Sequence, residues 1–133
     1  MTRFVVDAGV LLQIAAGKVD VHPDHQLVAP SVVRSQALAA LYDAVRRGEL
    51  DRSVALDRLE RMAAIRLRLL NDRVSRRRAW EVAEQLGLPG IPDAEYVAIT
   101  QLQADAFVTL DRDLARRVAG VVEVAPVEAL SRT

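Results

Sequence analysis

Three carboxylates stand where apolar runs end: Phe4-Val5-Val6-Asp7, Ile91-Pro92-Asp93 and Phe107-Val108-Thr109-Leu110-Asp111. Carboxylates gathered together repel one another, and a hard divalent cation such as Mg²⁺ or Mn²⁺, which takes oxygen ligands, relieves that repulsion. Asp7, Asp93 and Asp111 are therefore candidate metal ligands. Thr109 lies two residues before Asp111, on the same side of an extended segment, where its hydroxyl could bond a ligand carboxylate or a phosphate. Asp113 shares that parity, but the chain is turning into a helix there, which makes it an auxiliary acid at best. Two of the aspartates also have a local explanation. Asp93 follows a proline and precedes a helical run, as a cap does, and Asp111 could cap the helix containing Leu114. Asp7, directly after Val5-Val6, has no helical pattern to explain it.

The elements that must bring these residues together are short. Residues 4–6 read as a buried strand, followed by a helix from about Gly9 to Ala16 that Gly17 ends. Lys18 to Gln26 is a loop. Leu27 to Ala29 reads as a second strand, and Pro30-Ser31 opens a helix that Gly48 closes, with Ser31 as its cap. Ser53 can cap the next helix. Ile65 to Leu70 alternates with arginines, as a half-exposed strand or an extended connection would. Asp72 caps a helix to Leu86 with Gly87 as its left-handed exit, and Asp93 begins another through about Leu102. Ala106 to Thr109 is a strand, Arg112 to Val118 a short helix, Val121 to Val124 a final strand, and Pro126 to Leu130 a helical turn. Strands alternating with helices imply an α/β fold with a parallel sheet covered on both faces. Side chains at the carboxyl ends of such strands gather along one sheet edge, where ligands bind.

Composition narrows the chemistry further. At 133 residues the chain fits one domain with a real core. The absence of cysteine excludes disulfides, thiolate zinc sites and thiol nucleophiles, and suits a reducing compartment; with no leader-like segment or long apolar run, we read the chain as cytoplasmic. Basic and acidic residues balance at 18 each, so bulk charge does not announce a nucleic-acid binder. Distribution says more, because Arg73, Arg76 and Arg77 share one helical face that could meet a phosphate backbone; a solvated face is the default reading. His22 and His25, separated by Pro23-Asp24, belong to a surface loop, and zinc lacks ligands. Trp80, beside Ala79 and Ala83, reads as core packing.

In sequence order, Val5-Val6-Asp7-Ala8, Ala29-Pro30-Ser31, Pro92-Asp93-Ala94-Glu95-Tyr96-Val97-Ala98 and Val108-Thr109-Leu110-Asp111-Arg112-Asp113-Leu114 resemble the PIN domain, and within it the VapC-type toxins of bacterial toxin–antitoxin pairs. The resemblance covers nearly the whole chain, and the last two segments are its most specific parts. It implies a three-layer α/β/α fold with a central parallel sheet of four or five short strands. It also implies a Mg²⁺- or Mn²⁺-dependent endoribonuclease, held as a homodimer and silenced by a cognate antitoxin protein lying across the acidic groove. A divalent ion held by carboxylates can polarise a phosphoryl oxygen, generate a water nucleophile and stabilise the leaving oxygen.

Two positions depart from the family pattern. PIN toxins usually carry a glutamate about six residues beyond the proline that follows the second strand, and counting from Pro30 reaches Gln36. A glutamine amide offers an oxygen for hydrogen bonding but no negative charge and no proton-accepting role. Asp43 lies on the same helix face but ~10 Å along the axis at 1.5 Å per residue, too far to replace it. Gly9 stands where the family often has a small hydroxyl or amide residue. These departures favour weak activity or altered metal preference. They also support a rival reading, a catalytically weakened PIN domain acting as an RNA- or partner-binding module. A haloacid-dehalogenase-type phosphohydrolase would need an acid at position 9. A receiver-type phosphoacceptor would need a lysine after its last active-site strand, and the only lysine is Lys18.

Overall fold

Four parallel strands form the sheet in the order β3-β2-β1-β4: β1 Arg3–Val6, β2 Gln26–Pro30, β3 Arg68–Leu70 and β4 Ala106–Val108. The structure is a computed structural model that describes residues 1–133. Helices α1 Ala8–Ala15, α2 Val32–Arg46, α3 Arg52–Ala64, α4 Arg73–Leu86, α5 Ile91–Gln103 and α6 Arg112–Val118 connect and cover the strands, and a 3₁₀ turn, Val127–Ser131, ends the chain.

Strand β1 is central because its residues alternate between two apolar surfaces. Val5, Val28 and Phe107 face the larger core of 18 buried residues, which takes in Val33 and Ala37 of α2, Ala79 and Val82 of α4, and Ala94, Val97 and Ala98 of α5. Phe4, Val6, Leu27, Ala106 and Val108 face a smaller core of seven, closed by Val10 of α1 and Leu130. Both sheet faces are thus covered, as an all-parallel sheet requires. Pairing fixes the register: Val5 is opposite Val28 on one side and Phe107 on the other. Chain progression leaves β1 toward β2 and β3 in one direction and returns to β4 in the other. The crevice beyond the carboxyl ends of β1 and β4 is therefore a topological switch point, the place where open α/β sheets bind ligands.

Several local expectations change. The segment Ile65 to Leu70 resolves into β3, an edge strand of three residues in parallel register with β2. Val121 to Val124 is not a full strand; it contributes one parallel bridge, Phe107 to Val124, in which the Phe107 N–H donates to the Glu123 carbonyl and the Ala125 N–H to the Phe107 carbonyl. Ser31 does not cap α2, since its backbone is already helical (φ −59°, ψ −23°) and its side chain makes no capping bond. Ser53 lies inside α3, which begins after Asp51. Trp80 does not pack in the core: it is 64% exposed, while Ala79 and Val82 take the buried positions of α4. Asp72 does cap α4, in a reciprocal capping box with Ser75, and Gly87 ends that helix at φ 62°.

Candidate active site

Asp7 is the first residue beyond β1, and the structure supplies the helical role that the sequence did not suggest. It is the N-cap of α1, its Oδ1 accepting from the Val10 N–H at 3.0 Å. Its Oδ2 accepts from the Thr109 hydroxyl, and the same hydroxyl oxygen accepts from the Asp111 N–H at 3.1 Å. Thr109 therefore ties the end of β1 to the end of β4. Burial pushes the Asp7 carboxyl above its ordinary range, the bonds from Thr109 and Val10 work the other way, and the charges of Asp111 and Asp93 add to the rise.

Asp111 is the N-cap of α6, with Oδ1 accepting from the N–H groups of Asp113 and Leu114, both at 3.1 Å. That fixes one oxygen inward on the helix terminus and leaves Oδ2 without a protein donor. Asp93 is not a cap. Gly90 holds that place, Pro92 occupies the start of the helix, and Asp93 falls in the first turn of α5. Its carboxyl is raised by partial burial and then by Asp111, with Arg117 opposing. Asp93, Asp111, Asp113, Arg116 and Arg117 rim an open cleft of about 540 Å³. Asp113 is spent on a surface ion pair with Arg116.

Gln36 joins the site through Tyr96. The Tyr96 hydroxyl donates to Gln36 Oε1 at 2.5 Å. The phenol is buried; burial first, and then the charge of Asp7, hold its pKa well above the ordinary tyrosine value, so it stays protonated. Because its proton goes to Oε1, the amide group left to Gln36 for other partners is its NH₂ donor. Tyr96 was not among the sequence candidates. The signal was available, since it lies three residues after Asp93 and thus on a neighbouring helix position, but an inward-packing tyrosine is ordinary core. Arg117 was likewise missed, because nothing local connects it to Asp93.

The three candidate aspartates share one sheet edge and influence one another electrostatically. They do not close into a coordination set: no group of three or more His, Cys, Asp or Glu side chains is close enough to hold a metal by itself. The available donors are nevertheless all hard oxygens, with Asp111 Oδ2 and the Asp93 carboxylate free of protein hydrogen bonds. Mg²⁺ commonly takes only one or two protein carboxylates and completes its shell with water and phosphate. The donor set fits such an ion in kind, with water completing the shell. The histidines belong elsewhere: His22 and His25 precede β2 at the opposite sheet edge, and His25 Nε2 contacts the Arg132 carbonyl.

No protein-family model matches the sequence, and no curated protein matches it. Solved structures do. The chain superposes on PAE2754 from Pyrobaculum aerophilum with TM-score 0.74 at 24% identity, covering 97% of this chain and 92% of that one. It matches a chain of VapBC2 from Rickettsia felis, a structure bound to a DNA fragment from its promoter, with TM-score 0.66 at 12% identity over 93% of this chain and 98% of the other. VapBC-1 from nontypeable Haemophilus influenzae gives TM-score 0.58 at 11% identity, covering 94% and 98%. The fold is the PIN-like α/β fold of these proteins, as the resemblance in sequence implies.

Proposed function

We propose that the chain is a Mg²⁺- or Mn²⁺-dependent endoribonuclease, the toxin of a toxin–antitoxin pair, acting in the cytoplasm as a homodimer. The observation that supports this reading is the Thr109 bridge between Asp7 and Asp111 at the β1/β4 switch point, with Asp93 near enough for its charge to help raise the Asp7 carboxyl. A bound divalent ion would supply phosphoryl polarisation and a water of lowered pKa. Asp7, Asp93 and Asp111 would hold that ion or its water shell. Thr109 keeps the Asp7 carboxylate oriented, and the Tyr96 hydroxyl holds Gln36 by its oxygen, leaving its amide N–H groups as the donors for a further partner. Gln36 can then donate to a phosphate oxygen but cannot take a proton.

That limitation favours slow cleavage and gives the second reading its support: a weakened PIN-like domain that binds RNA or a partner. The likeness to VapBC assemblies supports an antitoxin as the protein partner. Cleavage of structured RNAs by the purified protein with Mg²⁺ or Mn²⁺ tests the choice, run beside Asp7→Asn and Gln36→Glu. Loss in the first variant and gain in the second is the expected result. Activity that survives Asp7→Asn unchanged would show the catalytic assignment to be wrong, and no cleavage even by Gln36→Glu would favour the binding module.

A further inference from the structure

The single tryptophan of the chain points into solvent from the middle of α4, and its neighbours on that face are arginines. Arg73, Arg76 and Arg77 precede Trp80 by seven, four and three residues, so all four side chains fall on one strip of helix about 10 Å long at 1.5 Å per residue. All four are exposed. None of the ion pairs in the structure uses Arg73, Arg76 or Arg77; the side-chain hydrogen bond of Arg76 goes to the neutral Asn71 at 3.3 Å, and its charge helps to lower the Asp72 carboxyl. Arg78, on the helix flank, is instead tied to Gln101 at 3.1 Å, while the opposite side of α4 is filled by Ser75, Ala79 and Val82. The strip is therefore one of unspent guanidinium groups around one large, solvated aromatic ring.

We propose that this face of α4 binds single-stranded RNA, with Arg73, Arg76 and Arg77 on successive phosphates and an unpaired base stacked on Trp80. The choice of RNA rests on the ribonuclease reading above; the chemistry of the face does not. Guanidinium forks match phosphate oxygens, and an indole face stacks on any base that is not already stacked in a duplex. The apolar surface here is Trp80 with the neighbouring Val74, both exposed, and the three guanidinium groups beside them favour a polyanion over an apolar protein partner. Asp72 is engaged in its capping box with Ser75. Glu81 and Glu84 lie beyond Trp80 and end the positive strip, so the strand crosses the first half of the helix.

Because position 80 is the only tryptophan, its emission reports this face and no other. The full-length protein, in EDTA so that no cleavage can occur, is titrated with a twelve-nucleotide RNA of mixed sequence. The proposal predicts saturable quenching and a log K against log salt slope of about −2, from ~0.7 per phosphate contacted on a single strand. Arg73→Gln with Arg77→Gln should reduce the slope to about −0.7. Trp80→Leu, followed by anisotropy of labelled RNA, should bind about tenfold more weakly or worse, with melting curves showing both variants folded. Anisotropy that saturates without any quenching would overturn the proposal, since the RNA would sit elsewhere. So would an emission change with protein concentration alone, which would make the face a contact between copies. Binding as predicted by a protein that cuts no RNA with any metal would refute the nuclease reading and leave this face standing.

Discussion

Substituting Asp7 by asparagine and by alanine separates what the residue does for the fold from what its charge does. Alanine removes the acceptor for the Val10 N–H, a capping loss of about 1 kcal/mol, and strands the Thr109 hydroxyl, adding up to about 1 kcal/mol. For a chain of 133 residues, 1–2 kcal/mol corresponds to a fall in Tm of roughly 4–8 °C. Asparagine keeps an oxygen for Val10 and an amide that can meet the Thr109 oxygen, while removing a charge that burial disfavours. In EDTA at pH 7, scanning fluorimetry should place Asp7→Asn at or above the wild-type Tm and Asp7→Ala below it. The pH dependence fixes the sign. Burial raises the folded carboxyl, so the native state binds this proton more readily than the unfolded chain, and native stability falls as pH rises from the unfolded value, about 3.9, to the raised one. The advantage of Asp7→Asn should therefore be larger at pH 7 than in acid and vanish below about pH 4. An asparagine variant that melts as low as the alanine one would mean that the charge itself stabilises the metal-free fold, and the burial argument would fail.

Three further outcomes follow from the same geometry. Gly9→Ala should raise stability by about 0.5–1 kcal/mol in chemical denaturation, because α1 gains a better helix former and a Cβ at that position meets Asp7 Oδ1 at 3.7 Å and Leu110 at 4.0 Å, both ordinary contacts; a loss would mean that the first turn of α1 is strained. Tyr96→Phe should cost about 1–2 kcal/mol by leaving Gln36 Oε1 unpaired, and urea melts that coincide with wild type would remove the Tyr96–Gln36 link. Asp72 runs opposite to Asp7: the Ser75 bonds lower its carboxyl, so its contribution is present above the unfolded value and is lost as pH falls through the lowered folded one. The Tm gap between wild type and Asp72→Ala should accordingly close in acid, and a gap that widens there would contradict the capping box.

What the sequence showed of this molecule follows the reach of each signal. The runs before Asp7 and Asp111 are short, unbroken apolar strands buried on both faces, a local signal, so the placing of those residues beyond one edge was legible once a parallel sheet was inferred. Caps were read less well because they depend on where a helix starts. Pro92, with φ preset for the first turn, lets α5 begin at Ile91 and moves Asp93 from the cap into the helix. The same one-residue sensitivity made Asp7 a cap when α1 began at Ala8. Trp80 was misplaced because composition favours burying an indole, whereas Ser75, Ala79 and Val82 define the inner stripe of α4 and Trp80 is off it. The links from Tyr96 to Gln36 and from Arg117 to Asp93 join residues 60 and 24 positions apart, and no local pattern carries them.

The most direct test of the central claim is an anomalous-scattering map from crystals of the protein soaked in Mn²⁺. The carboxylate site predicts a peak at the edge of the sheet bounded by Asp7, Asp93 and Asp111, lost in Asp93→Asn with Asp111→Asn. A protein that binds Mn²⁺ only elsewhere, or shows no peak there at saturating metal, would contradict it.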